Sequence, residues 1–351
     1  MLNRKVMLLI ALMTILLIGC NSNNESSPNA GESPVGENPS EETGNGQQQE
    51  EEEEVEVKEI FPLTGTPGET ATDKRPFAVV INNDVKARPQ SGLHKADIVY
   101  EVLAEGDITR LLAIFQSQVP PDSIGPVRSA RSYFIDLAKG YDPIFVFHGW
   151  SPGARDKIEA GEVDGINGLT YDGTLFKRAS FRVAPHNSYI TYDNIEKGSD
   201  RLGYSLEQDV PALSFHKKED TPAGEETDYV KVTYSKRAAT HVEYSYEESD
   251  NHYVRSSGGE KNIDLDTSED IVAHNILIVE SDHQIVDDAG RREIDITSGG
   301  RAILIQNGVR REVEWKEAEG RILPYLNGSP VPFTPGKTWI QIVPDLTNVS
   351  Y

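Results

Sequence analysis

The chain has 351 residues, of which 57 are acidic and 34 are Lys or Arg, so its formal net charge is −23. This length leaves room for a tail and two modest domains. The acidic balance argues against binding to nucleic acid and against adsorption onto anionic lipid, because both surfaces are negatively charged themselves. We therefore expect no nucleic-acid partner.

The N-terminus has the pattern of an export signal. Arg4 and Lys5 precede an apolar run over residues 6–18, which is too short to span a bilayer. The run ends in Leu-Ile-Gly-Cys, which resembles a bacterial lipobox with Cys20 as the lipidated residue. We predict a lipoprotein signal peptide over residues 1–19. The alternative is an ordinary secretory signal followed by a chance cysteine.

Cys20 is the single cysteine of the sequence, so no disulfide can form within the chain. Each buried CH₂ group of an attached palmitate or other acyl chain contributes about 0.8 kcal/mol to membrane binding, and several chains together give stable anchoring. The sequence thus predicts a protein held through lipid on Cys20 at the outer face of the bacterial cytoplasmic membrane.

Residues 20–59 are predicted to form a disordered acidic tether. Residues 21–59 contain twelve acidic residues and one lysine, a net charge of −11, and almost no apolar side chains. Such a segment buries too little apolar surface to offset the entropy that ordering would cost.

Residues 60–216 are predicted to form an N-terminal mixed α/β domain. Short and nearly continuous apolar runs indicate four buried strands. These runs cover residues 76–83, 96–104, 109–116 and 143–148.

Capping residues predict three helices in the same domain. One is expected to begin at Ser129 as its N-cap and to run toward Gly140. A second has Ser151 as N-cap and proline at its first position, where the missing N–H costs nothing. The third is capped by Thr191 and stops at Gly203.

The pattern changes after a linker predicted over residues 217–226. Short alternating segments predict strands in a smaller β-rich C-terminal domain over residues 227–351. Asn307-Gly308, between two of these segments, is a strong hairpin signal. The fold class is therefore predicted to be α+β, with a mixed α/β domain followed by a β-rich one.

Four strings of this sequence together resemble the YerB-like bacterial lipoprotein family. They are IGPVRSAR at 124–131, ARPQSGLHKADIVYEVLAEGDITR at 87–110, APHNSY at 184–189 and PGKTWIQIVP at 335–344. The resemblance extends from Ile60 to the C-terminus. It implies an extracytoplasmic lipoprotein with an α+β domain and a β-rich domain. The function of this family is unknown, so the resemblance supplies no catalytic residues.

Arg128 and Arg131 flank the predicted cap at Ser129. Cations are disfavoured at a helix N-terminus by roughly 0.3–1 kcal/mol, because the free N–H groups are already positive there. Two arginines in that position need negative partners, and helix N-termini are also sites where anions bind. The partners are therefore either carboxylates of this protein or a bound anion.

The candidate anion-binding residues extend beyond this pair, because guanidinium groups bind both oxygens of a phosphate or carboxylate. The candidates are Arg128, Arg131, Arg110, Arg88 and His186. Weaker candidates are Arg178, Arg182, His148 and Asn187. The alternative is that Asp84, Asp97, Glu101 and Glu105 pair these arginines within a polar network.

Residues 149–153 match G-x-S-x-G between a predicted strand and a predicted helix. The residue after the nucleophile must donate its backbone N–H to the oxyanion hole, and here it is Pro152, which has none. Ser151 is better explained as a helix cap. The scattered histidines have no metal-ligand spacing, so we assign no catalytic residue, no metal and no cofactor.

These observations favour a non-catalytic, membrane-anchored binding or scaffold protein. Its partner would be an anionic ligand of the cell envelope, bearing phosphate or carboxylate, or an envelope protein. The alternative is a cell-envelope enzyme that acts on a substrate containing pyrophosphate or glycan.

Overall fold

In a computed structural model of the protein, residues 59–68, 73–217 and 219–351 are described. The predicted signal peptide, Cys20 and the predicted tether lie outside the described residues, except that Glu59 belongs to the first strand. Within the described ranges no helix is both long enough and apolar enough to cross a bilayer.

The first part of the chain alternates strands with the α-helices. Its elements are β1 (Glu59–Ile60), β2 (Pro67–Gly68), β3 (Phe77–Asn82), β4 (Ile98–Glu105), β5 (Ile108–Phe115), α1 (Ser132–Lys139), β6 (Ile144–Phe147), α2 (Pro152–Glu159), β7 (Asp164–Asn167), α3 (Gly168–Tyr171), β8 (Phe176–Arg178), β9 (Ser188–Ile190) and α4 (Tyr192–Leu202).

The second part is built of strands. They are β10 (Glu225–Glu226), β11 (Tyr229–Thr233), β12 (His241–Glu247), β13 (His252–Ser257), β14 (Glu260–Lys261), β15 (Val272–Ala273), β16 (Asn275–Glu280), β17 (His283–Ile285), β18 (Arg292–Ile294), β19 (Gly300–Gln306), β20 (Val309–Ala318), β21 (Arg321–Leu326), β22 (Ser329–Pro330), β23 (Thr338–Val343) and β24 (Val349–Ser350). Short 3₁₀ turns occur at Val85–Ala87, Leu93–Lys95, Ala238–Thr240 and Leu346–Asn348. This content of many strands and few helices confirms the predicted α+β class.

A single large sheet contains strands from both predicted domains. Its order is β22-β21-β20-β19-β16-β23-β4-β5-β3-β6-β7, with β10 paired to β20 at one side. β23, near the C-terminus, pairs in parallel with both β16 and β4. The division into residues 60–216 and 227–351 stays a prediction, but the backbone hydrogen bonds of this sheet run continuously across both parts.

Both faces of the central strands are covered, which is why their sequences are apolar throughout rather than alternating. Every residue of β3 and of β23 is buried. In β23, Trp339 and Val343 pack in one apolar cluster, with residues of the β11–β13 sheet, whereas Ile340 packs in another, with residues of α1. The sheet is therefore the middle layer of the fold.

Two of the three predicted helix starts are confirmed. The Ser151 hydroxyl accepts from the Ala154 N–H at the start of α2, and the Thr191 hydroxyl accepts from the Asn194 N–H at the start of α4. Gly203 ends α4 with a left-handed φ of 75°, as its lack of a side chain permits. The predicted hairpin at residues 307–308 is also present between β19 and β20.

The predicted start of α1 is wrong. The helix begins at Ser132, and its N-cap residue is Arg131, which makes no side-chain capping bond. Ser129 lies in extended backbone, where its hydroxyl donates to the His148 carbonyl at 3.0 Å. Tertiary hydrogen bonds hold residues 124–130 extended and so override the local capping preference.

Candidate anion-binding site

The segment that contains Arg128 crosses the ends of two parallel strands. The Arg128 N–H donates to the Val80 carbonyl at 2.8 Å, and the Arg128 carbonyl accepts from the His148 N–H at 2.9 Å. Val80 lies in β3 and His148 directly follows β6, which pairs with β3 in parallel. The backbone of Arg128 is therefore fixed at the carboxyl edge of these strands, which is where open α/β sheets commonly bind ligands.

Arg110 and Arg131 share one carboxylate at this edge. Arg110 Nη2 donates to both oxygens of Glu105, at 2.8 and 2.6 Å, and Arg131 forms an ion pair with the same carboxylate. Their remaining contacts include backbone carbonyls, since Arg110 Nη1 donates to Ser129 O at 2.9 Å. Burial lowers the pKa of Arg110 to about 10. Internal contacts thus occupy much of the binding capacity of both arginines.

Arg128 differs from both of them. Among the described residues no carboxylate oxygen lies within 4.0 Å of its guanidinium. Like the Nε of Arg131, its buried Nε has no hydrogen-bond partner. Burial and, after it, the positive charge of Arg110 lower the pKa of Arg128 to about 10, although the nearby Asp84 acts in the opposite direction. The arrangement leaves a half-buried cation with donor capacity unused.

His186 lies close enough to Arg128 for the arginine charge to affect it. Burial lowers the pKa of His186, Asp84 acts in the opposite direction, and Arg128 lowers it further. Asn82 Oδ1 accepts from the Asp84 N–H at 3.0 Å, so its Nδ2 donates to His186 Nδ1 at 2.9 Å. With Nδ1 accepting, the neutral ring carries its proton on Nε2. His186 therefore offers this edge another N–H donor.

His148 belongs to a hydrogen-bonded chain. Arg178 Nη2 donates to His148 Nε2 at 2.8 Å, because a guanidinium has no acceptor atom. The proton of the neutral ring is then on Nδ1, which donates to Ser188 Oγ at 2.8 Å. Burial, followed by the Arg178 charge, lowers the pKa of His148. In this tautomer His148 cannot take a proton from Ser188, so the pair does not resemble a nucleophile with its base.

The remaining predicted residues lie around this edge with other partners. Arg178 donates Nε and Nη2 to Asp172, and its Nη1 donates to Asn187 Oδ1 at 3.1 Å. Arg88 donates to Asn83 O and to Ala239 O, each at 3.0 Å, and so contacts the second half of the chain.

Arg182 donates to Pro89 O at 2.6 Å and to the Tyr189 hydroxyl. Its guanidinium carbon also lies 5.4 Å from the centre of the Phe181 ring. Through these contacts Arg182, which lies in the loop that precedes β9, is held against Pro89 and Tyr189.

Among the described residues, Glu105 is the one member of the four carboxylates offered as internal partners, Asp84 included, that forms an ion pair with a predicted arginine. Glu105 pairs with two of the predicted arginines, whereas Glu101 pairs with Arg255 at 2.7 Å. Asp97 accepts from the backbone of Gln116 and Ser117, and burial raises its pKa to about 6. The polar-network alternative therefore holds for Arg110 and Arg131 but not for Arg128.

Sequence reasoning missed Asn82 and Arg255. Asn82 ends the apolar run of β3, and a polar residue directly after a buried strand is a signal that could have found it. Arg255 gave no such signal, because it lies in a strand of mixed composition far along the chain.

One further group of potential ligands was not predicted. Atoms of Glu247, Asp250 and His252 lie within 4.8 Å of one another, but such exposed acidic groups commonly form without a metal ion.

The G-x-S-x-G segment forms no triad in the structure. Ser151 Oγ accepts from the Ala154 N–H at 3.4 Å as a helix cap. Asp172, the acid that would follow it in chain order, pairs with Arg178, and His186 contacts Asn82. The motif is accounted for by capping.

Comparison with known proteins agrees with this architecture. Residues 63–205 match the N-terminal domain, and residues 230–340 the C-terminal domain, of the family described as protein of unknown function (DUF3048). A Bacillus subtilis (strain 168) protein named "Putative lipoprotein YerB" is 52% identical over 291 residues, covering 82% of this chain and 87% of the relative.

The crystal structure of the YerB protein from Bacillus subtilis has the same fold, with a TM-score of 0.79 at 50% sequence identity. The match covers 84% of this chain and 99% of that one. These findings confirm the family resemblance inferred from the four sequence strings. The chain belongs to the DUF3048 family, and the Bacillus subtilis protein YerB is its relative.

Proposed function

We propose that the protein is a membrane-anchored extracytoplasmic lipoprotein that binds an anionic, phosphate- or carboxylate-bearing ligand without catalysis. The carboxyl edge of β3 and β6 is the proposed binding surface. Arg128 supplies the charge, and His186 supplies an additional N–H donor. Arg110 and Arg131 contribute positive potential that Glu105 offsets in part.

The observation that carries this proposal is the state of Arg128. Leaving a buried donor unpaired costs about 1–3 kcal/mol, and more when the group is charged. The chain has 57 acidic residues, yet none of the described ones lies within ion-pair distance of this guanidinium. An anionic ligand in that place would supply the missing acceptor.

The lipid anchor rests on separate support. The lipobox-like sequence ends at Cys20, and the 52% identical relative is named as a lipoprotein. Replacing Cys20→Ala should move the protein from the membrane fraction to the medium or the soluble extracytoplasmic fraction. Persistence of Cys20→Ala in washed membranes would contradict anchoring through this cysteine.

The anion site can be tested by calorimetric titration of residues 59–351 with sulfate, phosphate and pyrophosphate. We expect Arg128→Gln to weaken binding of the best of these anions at least tenfold. Arg301→Gln is the matched control, because Arg301 is an exposed arginine on β19 that forms an ion pair with Glu280 of β16. Equal affinity in the wild type and Arg128→Gln, or equal losses in both variants, would refute the proposed site.

The enzyme alternative receives no comparable support. His148 has the wrong tautomer to activate Ser188, and Ser151 acts as a helix cap. The absence of an ion-pair partner for Arg128 among the described residues instead supports binding of an anion.

A further inference from the structure

A separate cavity lies beside the proposed anion site, between β8, β9 and the start of α4. Its volume is about 380 Å³, which is at the lower end of the range for small-molecule sites. The second half of the chain closes one side through Leu265 and Asp266. The described residues therefore form a concave site from segments distant in sequence.

The floor of this cavity includes an unsatisfied hydroxyl. Ser91 is fully buried, and its Oγ has no hydrogen-bond partner. Such groups are rare in folded proteins, because each costs free energy when it is left unpaired. Asn194 adds a second polar group, since its N–H and Nδ2 have partners and its Oδ1 accepts no hydrogen bond from another described residue.

The rim carries an exposed aromatic ring that is held in position. Phe181 is 65% exposed. Its ring centre lies 6.2 Å from that of Tyr189, and Arg182 packs against it. Because Arg182 is itself bound to Pro89 O and to Tyr189, the ring has a supported face beside the cavity.

The charges that line the cavity balance. Arg178 is neutralised by Asp172 through two donors, which leaves Lys177 and Asp266 with opposite signs. The other polar groups include the hydroxyls of Ser91, Ser123 and Ser180. Hydroxyl groups can both donate and accept, so this lining suits a neutral ligand that carries many hydroxyls.

We propose that this cavity binds a neutral carbohydrate ring of a glycan. The apolar face of the sugar would stack on Phe181, while its hydroxyl groups would bond to Ser91, Asn194 and Asp266. A phosphate is not favoured here, because Asp172 pairs with Arg178 and Asp266 offsets the charge of Lys177, so the lining has no net positive charge. This proposal does not depend on anion binding at Arg128, since the two sites use different side chains.

The test is titration of the full chain with chitotetraose and cellotetraose, followed by ¹⁵N chemical shifts of the loop at residues 177–191. At least one of the two oligosaccharides should bind and shift these resonances. Phe181→Ala should weaken binding at least tenfold, and Ser91→Ala several-fold. Phe181 is exposed, so Phe181→Ala is expected to fold normally.

Val183→Ala is the matched control, because Val183 is 81% exposed on the same loop but does not line the cavity. It should bind sugar as the wild type does, and so should Arg128→Gln, which separates this test from that of the anion site. Failure of both oligosaccharides to bind would overturn the proposal, as would full binding by Phe181→Ala. Binding of apolar peptides in their place, lost in Phe181→Ala, would overturn the assignment to carbohydrate.

Discussion

Arg255 and Arg128 are both largely withdrawn from water, but their surroundings differ. Arg255 is 1% exposed, pairs with the fully buried Glu101 at 2.7 Å, and lies 4.6 Å from the centre of the Trp339 ring. Arg128 lies at a strand edge, and no carboxylate of the described residues is within ion-pair distance of its guanidinium. Arg255 connects two halves of the chain, whereas the guanidinium of Arg128 has hydrogen-bond donors available for a ligand.

This difference shows that a shortage of carboxylates does not explain the state of Arg128. Glu101 also accepts from Asn83 and Thr109, at 2.9 and 2.8 Å. The buried pair is thus embedded in further hydrogen bonds, which is the condition under which buried charges are tolerated. A chain that supplies Arg255 with a buried carboxylate leaves Arg128 without an ion-pair partner among the described residues.

The largest effect is expected from Glu101→Gln. Breaking a buried ion pair leaves a charge without compensation and typically costs about 3–5 kcal/mol of unfolding free energy. Urea denaturation of residues 59–351 would measure this loss. Arg301→Gln, which breaks an exposed pair, should leave the urea midpoint unchanged, and a similar midpoint for both variants would contradict the structural role given to Glu101.

Glu105→Gln should have the next largest effect, and it should change both the stability of the fold and the affinity for anions. It removes the carboxylate shared by Arg110 and Arg131, and because Glu105 is partly exposed we expect a smaller loss of about 2 kcal/mol. It also raises the positive potential around Arg128. Calorimetry should therefore find tighter sulfate binding in Glu105→Gln, and weaker binding would mean that Glu105 organises the site.

Anion affinity should also depend on pH through His186. Its pKa is lowered, so the ring is neutral at pH 7 and gains its charge only below its ordinary range. Protonation then places a second cation near Arg128, so affinity should rise several-fold as the pH falls from about 6.5 to 5. Sulfate is the suitable probe because its own charge stays constant in this range. His186→Asn should flatten the profile, and an unchanged profile would exclude His186 from the site.

The buried strands could be predicted from sequence because their physical cause is local. Runs such as β3 and β23 are apolar throughout, and the caps at Ser151 and Thr191 depend on neighbouring residues alone. The start of α1 could not be predicted in this way. Ser129 is an adequate N-cap, but backbone bonds to Val80 and His148, distant in sequence, keep its segment extended.

The candidate site was predicted by residue type but not by pairing. Sequence placed Arg110, Arg128 and Arg131 in one region. Their convergence depends on β3, which pairs with the Arg110 strand β5 and accepts the Arg128 N–H at Val80. Which arginine lacks a carboxylate depends on where Glu105, the last residue of β4, lies in the folded chain. That information is tertiary, and no periodicity or spacing in the sequence contains it.

The smallest effect on the free energy of unfolding is expected from Arg128→Gln. This is the opposite of the large loss expected when Arg255 is replaced. The wild-type guanidinium has no ion pair to lose among the described residues, and burial disfavours its charged form, as its lowered pKa of about 10 indicates. Glutamine removes that charge while keeping a polar side chain, so the free energy of unfolding should change by less than about 0.5 kcal/mol.

The urea midpoint of Arg128→Gln, measured without added anion, checks this expectation beside Arg255→Gln. Arg255→Gln should lose several kcal/mol, about as much as Glu101→Gln, because each leaves the other member of one buried pair uncompensated. If Arg128→Gln lost as much as Arg255→Gln, Arg128 would be a structural residue. A stable Arg128→Gln that has lost anion binding would instead mean that this arginine is retained for a ligand and not for the fold.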